Sequence, residues 1–394
     1  MSAYSLLPHC RLVLGAKRAA IYNLARGEVY SVDAVGRKIL LGERVGDDLW
    51  EQLCDAGLAK RGRGPNQTEH EDRVLNQLRY LWLEITGNCN LACIHCYGSF
   101  CPKRKVPDLP VEFWLEILKE GYQLGCRKVQ FVGGEPLKYK GLRTLLDTAH
   151  KMGYPFVEVF TNGTLITEAY CQLFAKLGTR VAVSLYSAVP EVHNEITGNR
   201  HSFDKTARAL ARLRQAGVTT SVALVVMRQN QHTVEQTISF AEASGFGFEG
   251  PRIIKGIGRG GNSALYPDSD VVERWATRKK PRFRTDLGLF TRYQICNPCW
   301  GRELAISSEG LALPCVFARN MPVGDLKTEK LKDVLEAQEL ARLRALTKDK
   351  IDVCRDCEYR YACGDCRVLA LEQSGDLYAK TPFCNYDPYT GIWA

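Results

Sequence analysis

Hydrophobic and polar positions follow two rhythms along this chain. Between residue 80 and about 256, short apolar and β-branched runs recur near 80–86, 128–132, 156–160, 180–185, 219–226 and 251–254. Such runs read as buried strands. The segments between them, around 111–124, 140–152, 167–177, 203–216 and 232–244, carry apolar residues every three or four positions and read as helices. Alternating strands and helices imply a parallel sheet covered by helices. Six such units fit an α/β fold of the partial (β/α)6, TIM-like barrel kind, whose ligand loops gather at the C-terminal strand ends.

The first 70 residues differ. Arg11-Leu-Val-Leu14, Ala20-Ile-Tyr-Asn-Leu24 and Glu28-Val-Tyr-Ser31 are short strand candidates, with a turn at Ala25-Arg-Gly27. Asp33 is placed to cap a helix running to about Leu41, and Asp47 or Asp48 to cap another that ends before Gly57. Three strands followed by helices make a winged-helix-like module. Gly62-Arg-Gly-Pro-Asn-Gln-Thr-Glu-His-Glu-Asp72 reads as a linker. A helical stretch is expected again at about 329–347. The division expected is 1–70 for the N-terminal module, 71–290 for the barrel and 291–394 for a cysteine-rich C-terminal domain.

Composition narrows the class. Apolar residues make up 45% and charged residues 25%, which fits a globular protein rather than a disordered one. No apolar run approaches the ~18 residues of a membrane span. The N-terminus lacks the charged-then-apolar layout of a signal peptide. Sixteen cysteines in a long chain without an export signal point to metal or redox chemistry in the cytoplasm rather than to disulfides. The net charge is +9, and its densest run is Arg278-Lys279-Lys280-Pro-Arg282-Phe-Arg284. That run reads either as a solvated loop or as a patch for an acidic peptide or a carboxylate. No aromatic-and-basic nucleic-acid signature is present.

The sharpest motif is Cys89-Asn-Leu-Ala-Cys93-Ile-His-Cys96-Tyr97, directly after the first barrel strand. Three thiolates can hold three irons of a 4Fe–4S cluster and leave the fourth open to a small molecule. Val129-Gln-Phe-Val-Gly133-Gly134-Glu135-Pro136, the strand end at Asn162 and the strand end at Ser184 follow in order. With these four matches the chain resembles the radical S-adenosylmethionine (SAM) enzymes. The resemblance implies that SAM binds the open iron and that Tyr97 lies near its adenine. It also implies that the backbone of 133–136 holds the SAM ammonium and that Ser184 hydrogen-bonds SAM. Arg200 and Arg228 are candidates for its carboxylate. Cys101, soon after the cluster loop, is a candidate active-site thiol.

Past residue 296 cysteines crowd together: Cys296, Cys299, Cys315, Cys354, Cys357, Cys363, Cys366 and Cys384. Cys-x2-Cys pairs of this kind bind zinc in many proteins. The spacing resembles the SPASM extension of radical SAM enzymes, except that two residues rather than three separate Cys363 from Cys366. The resemblance implies two auxiliary 4Fe–4S clusters, hence three clusters in all. Cys299, Cys315 and Cys366 hold the first, with Cys296 as fourth ligand or, failing that, an open iron. Cys354, Cys357, Cys363 and Cys384 hold the second.

The tail Cys384-Asn-Tyr-Asp-Pro-Tyr-Thr-Gly-Ile-Trp393 resembles the SPASM branch that matures ribosomally made peptides, thioether-forming (ranthipeptide or sactipeptide) and grasp-with-spasm enzymes among them. In that family an N-terminal module like this one binds the leader of the precursor, and strand addition is a known mode of peptide capture. A purely structural cap is the other reading of residues 1–70. The implied function is thioether formation between a Cys sulfur and a carbon in a Cys-rich, leader-bearing precursor peptide, with flavodoxin or ferredoxin as electron donor. Carbon–carbon or carbon–oxygen crosslinking, epimerisation and formylglycine formation in a sulfatase are alternatives, and an iron–sulfur redox protein without catalysis is a third class.

Overall fold

A computed structural model describes residues 4–62, 78–103, 107–277, 283–364 and 366–394. The linker beyond Gly62 and the basic run up to Arg282 lie outside the described residues. The chain divides into two compact units. One comprises Met1–Leu75, Thr277–Gly301 and Arg342–Ala394; the other comprises Asn76–Ala276 and Arg302–Ala341.

The first unit opens with β1 (Tyr4–Leu6), β2 (Cys10–Leu14), β3 (Ala19–Asn23) and β4 (Glu28–Val32), then α1 (Ala34–Leu40), α2 (Asp47–Asp55) and β5 (Ala59–Arg61). β2, β3 and β4 form an antiparallel meander with β3 central, and β1 pairs with β5. Asp33 caps α1 as expected, its carboxylate accepting from Gly36 N at 2.7 Å. α2 departs from expectation. Its cap is Gly46, and Asp47 and Asp48 fall in the first turn, where their charge meets the positive helix end instead of bonding the backbone.

β3 is buried on both faces. Successive strand side chains point to opposite sides, and the two sides have different partners. Ala19 and Ile21 pack with Ile39, Trp50 and Leu53 of the helices. Ala20 and Tyr22 pack with Phe290, Tyr359 and Tyr386 of the C-terminal segment. Three hydrogen bonds join the same partners: Ala16 N to Asp356 O at 2.8 Å, Tyr22 Oη to Glu358 O at 2.8 Å, and Arg360 Nη1 to Leu14 O at 2.8 Å.

The second unit holds the barrel strands β6 (Tyr80–Thr86), β7 (Lys128–Gly133), β8 (Phe156–Thr161), β9 (Arg180–Ser184), β10 (Thr220–Val226) and β11 (Gly247–Ile253). Between them run α3 (Val111–Gln123), α4 (Leu142–Lys151), α5 (Glu168–Leu177), α6 (Pro190–Thr197), α7 (Ser202–Gln215) and α8 (Val234–Ala243). The six strands pair in parallel in chain order, giving the expected α/β core. Beyond β6 the sheet continues through β12 (Glu303–Ile306), parallel to β6, and then β13 (Leu311–Leu313) and β14 (Gly324–Asp325), both antiparallel. The single helix expected at 329–347 is two, Leu331–Glu336 and Gln338–Arg344, broken at extended Ala337. The break turns the second apolar stripe, so that Leu331 and Val334 before it and Leu340 and Leu343 after it are all fully buried.

Candidate functional site

The loop carrying Cys89, Cys93 and Cys96 leaves the C-terminal end of β6 and is clasped from three sides. On one side stands the 133–136 segment at the end of β7. Gly134 N donates to Thr86 O at 2.8 Å and Glu135 N to Asn88 O at 2.9 Å. The approach demands glycine: a Cβ on Gly134 would lie 2.4 Å from Asn88 O, and Gly133 has φ +142°. On the second side the end of α6 takes Ala92 N and Ile94 N onto the carbonyls of Thr197 and Ile196.

The third side is the run Gly256-Ile-Gly258-Arg259-Gly-Gly261 after β11. Arg259 Nε donates to Cys93 O at 2.8 Å, its Nη2 to Phe100 O at 2.6 Å, and its backbone N to Cys96 O at 3.1 Å. Gly258, at φ +58°, lies so close that a Cβ would be 2.3 Å from Tyr97 O. Arg259 was missed from sequence; the glycine-rich run immediately after a barrel strand was the available signal.

The three thiols share one apolar cluster with Leu91, Phe100 and Tyr97. Burial pushes Cys89 up to about 11 and raises Cys93 and Cys96, and Cys93 is raised further by the two neighbouring sulfurs. Mutually destabilising thiolates in a buried loop would be relieved by a cationic metal centre, which binds thiolates and not thiols.

The other sequence candidates fall as follows. Glu135 is fully buried, and its carboxylate accepts from Thr161 Oγ1 at 2.6 Å, Asn162 N at 2.9 Å and Leu137 N at 3.1 Å. The side chain therefore ties β7 to β8. Pro136 begins a short 3-10 turn. Asn162 Nδ2 reaches Asn90 Oδ1 of the cysteine loop at 3.0 Å. Ser184 is buried at the end of β9. Cys101 is half-buried. Arg228 is paired with Asp268 at 3.1 Å and donates to Tyr266 O, and Arg200 is exposed.

Tyr97 packs edge-on to Phe317 at 5.4 Å between ring centres. Beside it Arg319 Nη1 reaches both carboxylate oxygens of Glu84 at 2.6 Å, and Glu84 is 1% exposed. This buried acid–base pair was also missed, because its partners are 235 residues apart.

In the first unit, Cys354, Cys357, Cys363 and Cys384 line a common open pocket. Lys348, Arg360 and Lys380 line it too. Lys348 is 1% exposed, with its ammonium 3.9 Å from Cys354 Sγ. Among the described residues no three His, Cys, Asp or Glu side chains stand as a single-ion site; these four thiols line one shared pocket. The positive charges beside it suit an anionic thiolate-bound cluster. Cys296 and Cys299 lie on a separate loop of the same unit, shaped by Asn297, whose Oδ1 accepts from Cys299 N and Trp300 N at 2.9 Å each. Cys366 begins the helix Arg367–Ser374, and Cys315 belongs to the other unit.

Among the described residues the two non-glycine positions at positive φ are Ser99 at +53° and Val353 at +64°. Each adjoins a cysteine loop. A β-branched valine there is strained, and such strain clusters at functional sites.

Comparison with known proteins agrees with this geometry. The radical SAM superfamily model matches residues 83–241, and the SPASM iron–sulfur cluster-binding domain matches 296–358. The chain is 26% identical over 331 residues to the PqqA peptide cyclase of Gluconobacter oxydans, covering 78% of this chain and 91% of the relative. It is 24% identical over 347 residues to the AdoMet-dependent heme synthase of Methanosarcina barkeri, covering 80% and 98%. Its fold is similar to that of Streptococcus suis SuiB bound to S-adenosylmethionine, with a TM-score of 0.63, 15% identity and coverage of 96% of this chain and 99% of that one. With the cysteine loop, the glycine segment that clasps it and the C-terminal cysteines in place, the chain is an enzyme that carries a radical SAM domain and a SPASM iron–sulfur cluster-binding domain.

Proposed function

We propose that this enzyme is a maturase that installs thioether crosslinks in a leader-bearing, ribosomally made precursor peptide, using three 4Fe–4S clusters. The observation that carries the reading is the pairing of a clasped three-cysteine loop with a four-cysteine cavity in the unit that also contains the N-terminal meander. The fold likeness to SuiB spans 96% of the chain and thus includes that meander, and SuiB was also solved with its precursor peptide SuiA bound. The PqqA peptide cyclase is a second peptide-acting relative.

Cys89, Cys93 and Cys96 would hold the SAM-binding cluster, and Cys354, Cys357, Cys363 and Cys384 an auxiliary one. When bound and reduced, the first would supply the electron for reductive cleavage of SAM and so the radical chemistry that takes a hydrogen from the substrate. The chain's own residues place the reactants and keep water out. Arg259 fixes the carbonyls of the cysteine loop. Gly133 and Gly134 let the 133–136 backbone close on Thr86 and Asn88, from where it would hold the SAM ammonium. The Glu84–Arg319 pair and Phe317 line the side of Tyr97. Joining a peptide thiol to a carbon radical releases one proton and one electron, and the auxiliary cluster would be the acceptor of that electron. The meander would take the leader as an added strand.

Anaerobic incubation of the reconstituted enzyme with SAM, reductant and a candidate Cys-rich precursor, read by mass spectrometry, tests this. Loss of two hydrogens per modified Cys, with that Cys no longer alkylatable, is the expected result. Loss of two hydrogens with every Cys still alkylatable would replace thioether formation by a crosslink that does not use sulfur.

A further inference from the structure

Among the described residues, the first unit contains a buried cation without an ion-pair partner. Arg344 ends the helix Gln338–Arg344 and is 4% exposed. Its Nε, Nη1 and Nη2 have no hydrogen-bond partner among the described residues. Burying a guanidinium with all its donors unpaired is strongly unfavourable, so buried arginines are found with anions or acceptors. The arrangement here is a built one. Arg344 O accepts from Asn297 N at 2.6 Å, and Asn297 Nδ2 donates to Leu346 O at 2.9 Å. Those bonds lock the arginine in register with the loop of Cys296 and Cys299. Cys296 is 2% exposed, and its sulfur is the ionisable group whose charge acts on Arg344. Gly301 gives that sulfur its space, since a Cβ there would lie 2.5 Å from Cys296 Sγ. A neutral thiol accepts weakly and cannot satisfy a five-donor fork.

We propose that Arg344 is the counter-cation of the auxiliary cluster held through Cys296 and Cys299, donating hydrogen bonds to its sulfur atoms and setting its reduction potential. The inference rests on reading those cysteines as cluster ligands. A thiolate-bound cluster is anionic, and one-electron reduction adds a further negative charge. A fixed guanidinium in a dry site favours the reduced form, since hydrogen bonds to sulfur and net charge are among the levers that tune such clusters. Arg344 is thus a positioning residue for electron flow and touches no substrate.

The test is a redox titration of the anaerobically reconstituted full chain, followed by electron paramagnetic resonance, alongside iron and sulfide counts. Wild type is compared with Arg344→Met, Arg344→Lys and the double variant Cys296→Ser/Cys299→Ser. Arg344→Met should make reduction of one auxiliary cluster about tenfold less favourable, a shift of about 59 mV to lower potential for one electron. Arg344→Lys should recover most of it, and the SAM-binding cluster should not move. If Arg344→Met instead loses the iron of one cluster while Arg344→Lys keeps it, the counter-charge role also holds. Full iron with every potential unchanged in Arg344→Met overturns it, as does equal iron loss in the Met and Lys variants. A double cysteine variant with wild-type iron and spectra overturns the ligand reading itself.

Discussion

Replacing Arg259 by Met should empty the three-cysteine loop while leaving the C-terminal cysteine set loaded. Methionine keeps the length and apolar stem but removes both side-chain hydrogen bonds, to Cys93 O at 2.8 Å and to Phe100 O at 2.6 Å. The backbone bond from Arg259 N to Cys96 O remains. A hydrogen bond from a charged donor is worth about 1.5–3 kcal/mol net. Arg259 is half-buried, so the low end applies, and the pair contributes about 3 kcal/mol. At 1.36 kcal/mol per factor of ten, that is roughly a hundredfold weaker hold on the loop geometry that binds iron. The assay is anaerobic reconstitution, dialysis against an iron chelator, then iron counting and measurement of 5′-deoxyadenosine. Arg259→Met should lose the iron of one cluster and nearly all SAM cleavage, and Arg259→Lys, which cannot reach both carbonyls with one fork, should fall between. Undiminished iron and deoxyadenosine in Arg259→Met would refute the clasp.

Two further outcomes follow from the same geometry. Gly134→Ala puts a methyl 2.4 Å from Asn88 O and 3.0 Å from Cys89 N, so it should abolish SAM cleavage, read as deoxyadenosine released, with the iron of the C-terminal set retained. His193 accepts from Tyr186 N at 3.3 Å through Nδ1, is 1% exposed, and is pushed down to about 4 by burial. An unfolded histidine titrates near 6.5, so the unfolded chain takes up the proton first: the stabilisation is present above pH 6.5 and is lost as pH falls towards 4. Between pH 7 and 5 this one group should cost about 2 kcal/mol, and denaturant titration of His193→Phe should show that much less acid sensitivity than wild type.

The parallel core was legible because buried parallel strands are near-continuous apolar runs, and because their ends carry residue types that close backbone approach requires. Gly133 and Gly134 are the clearest case. β1 and β5, at three residues each, are too short to show a period. β12 is specified by pairing with β6, more than 200 residues earlier, which no local pattern encodes. The site residues divide in the same way. Those inside a contiguous motif could be read, whereas Arg259, Arg319 and Arg344 act on loops distant in sequence.

The N-terminal meander and the C-terminal cysteine cavity share one core, which changes how peptide recognition must be tested. Val13, Tyr22 and Leu24 are buried against Phe290, Tyr359 and Tyr386. Burying each large side chain contributes about 1.5–3 kcal/mol. The three hydrogen bonds to Asp356 O, Glu358 O and from Arg360 add about 1 kcal/mol apiece. The sum, about 8–12 kcal/mol, is as large as the whole stability of a typical domain, about 5–15 kcal/mol. Deleting residues 1–62 should therefore do more than remove a leader-binding surface. It should unseat Cys357 and Cys384, which pack against the same cluster, and the truncated chain should reconstitute with less iron even when no peptide is present. Iron counting of the truncated and full chains, side by side, decides it. A truncated chain with full iron would mean that the cysteine cavity folds without the meander and that the shared core is dispensable.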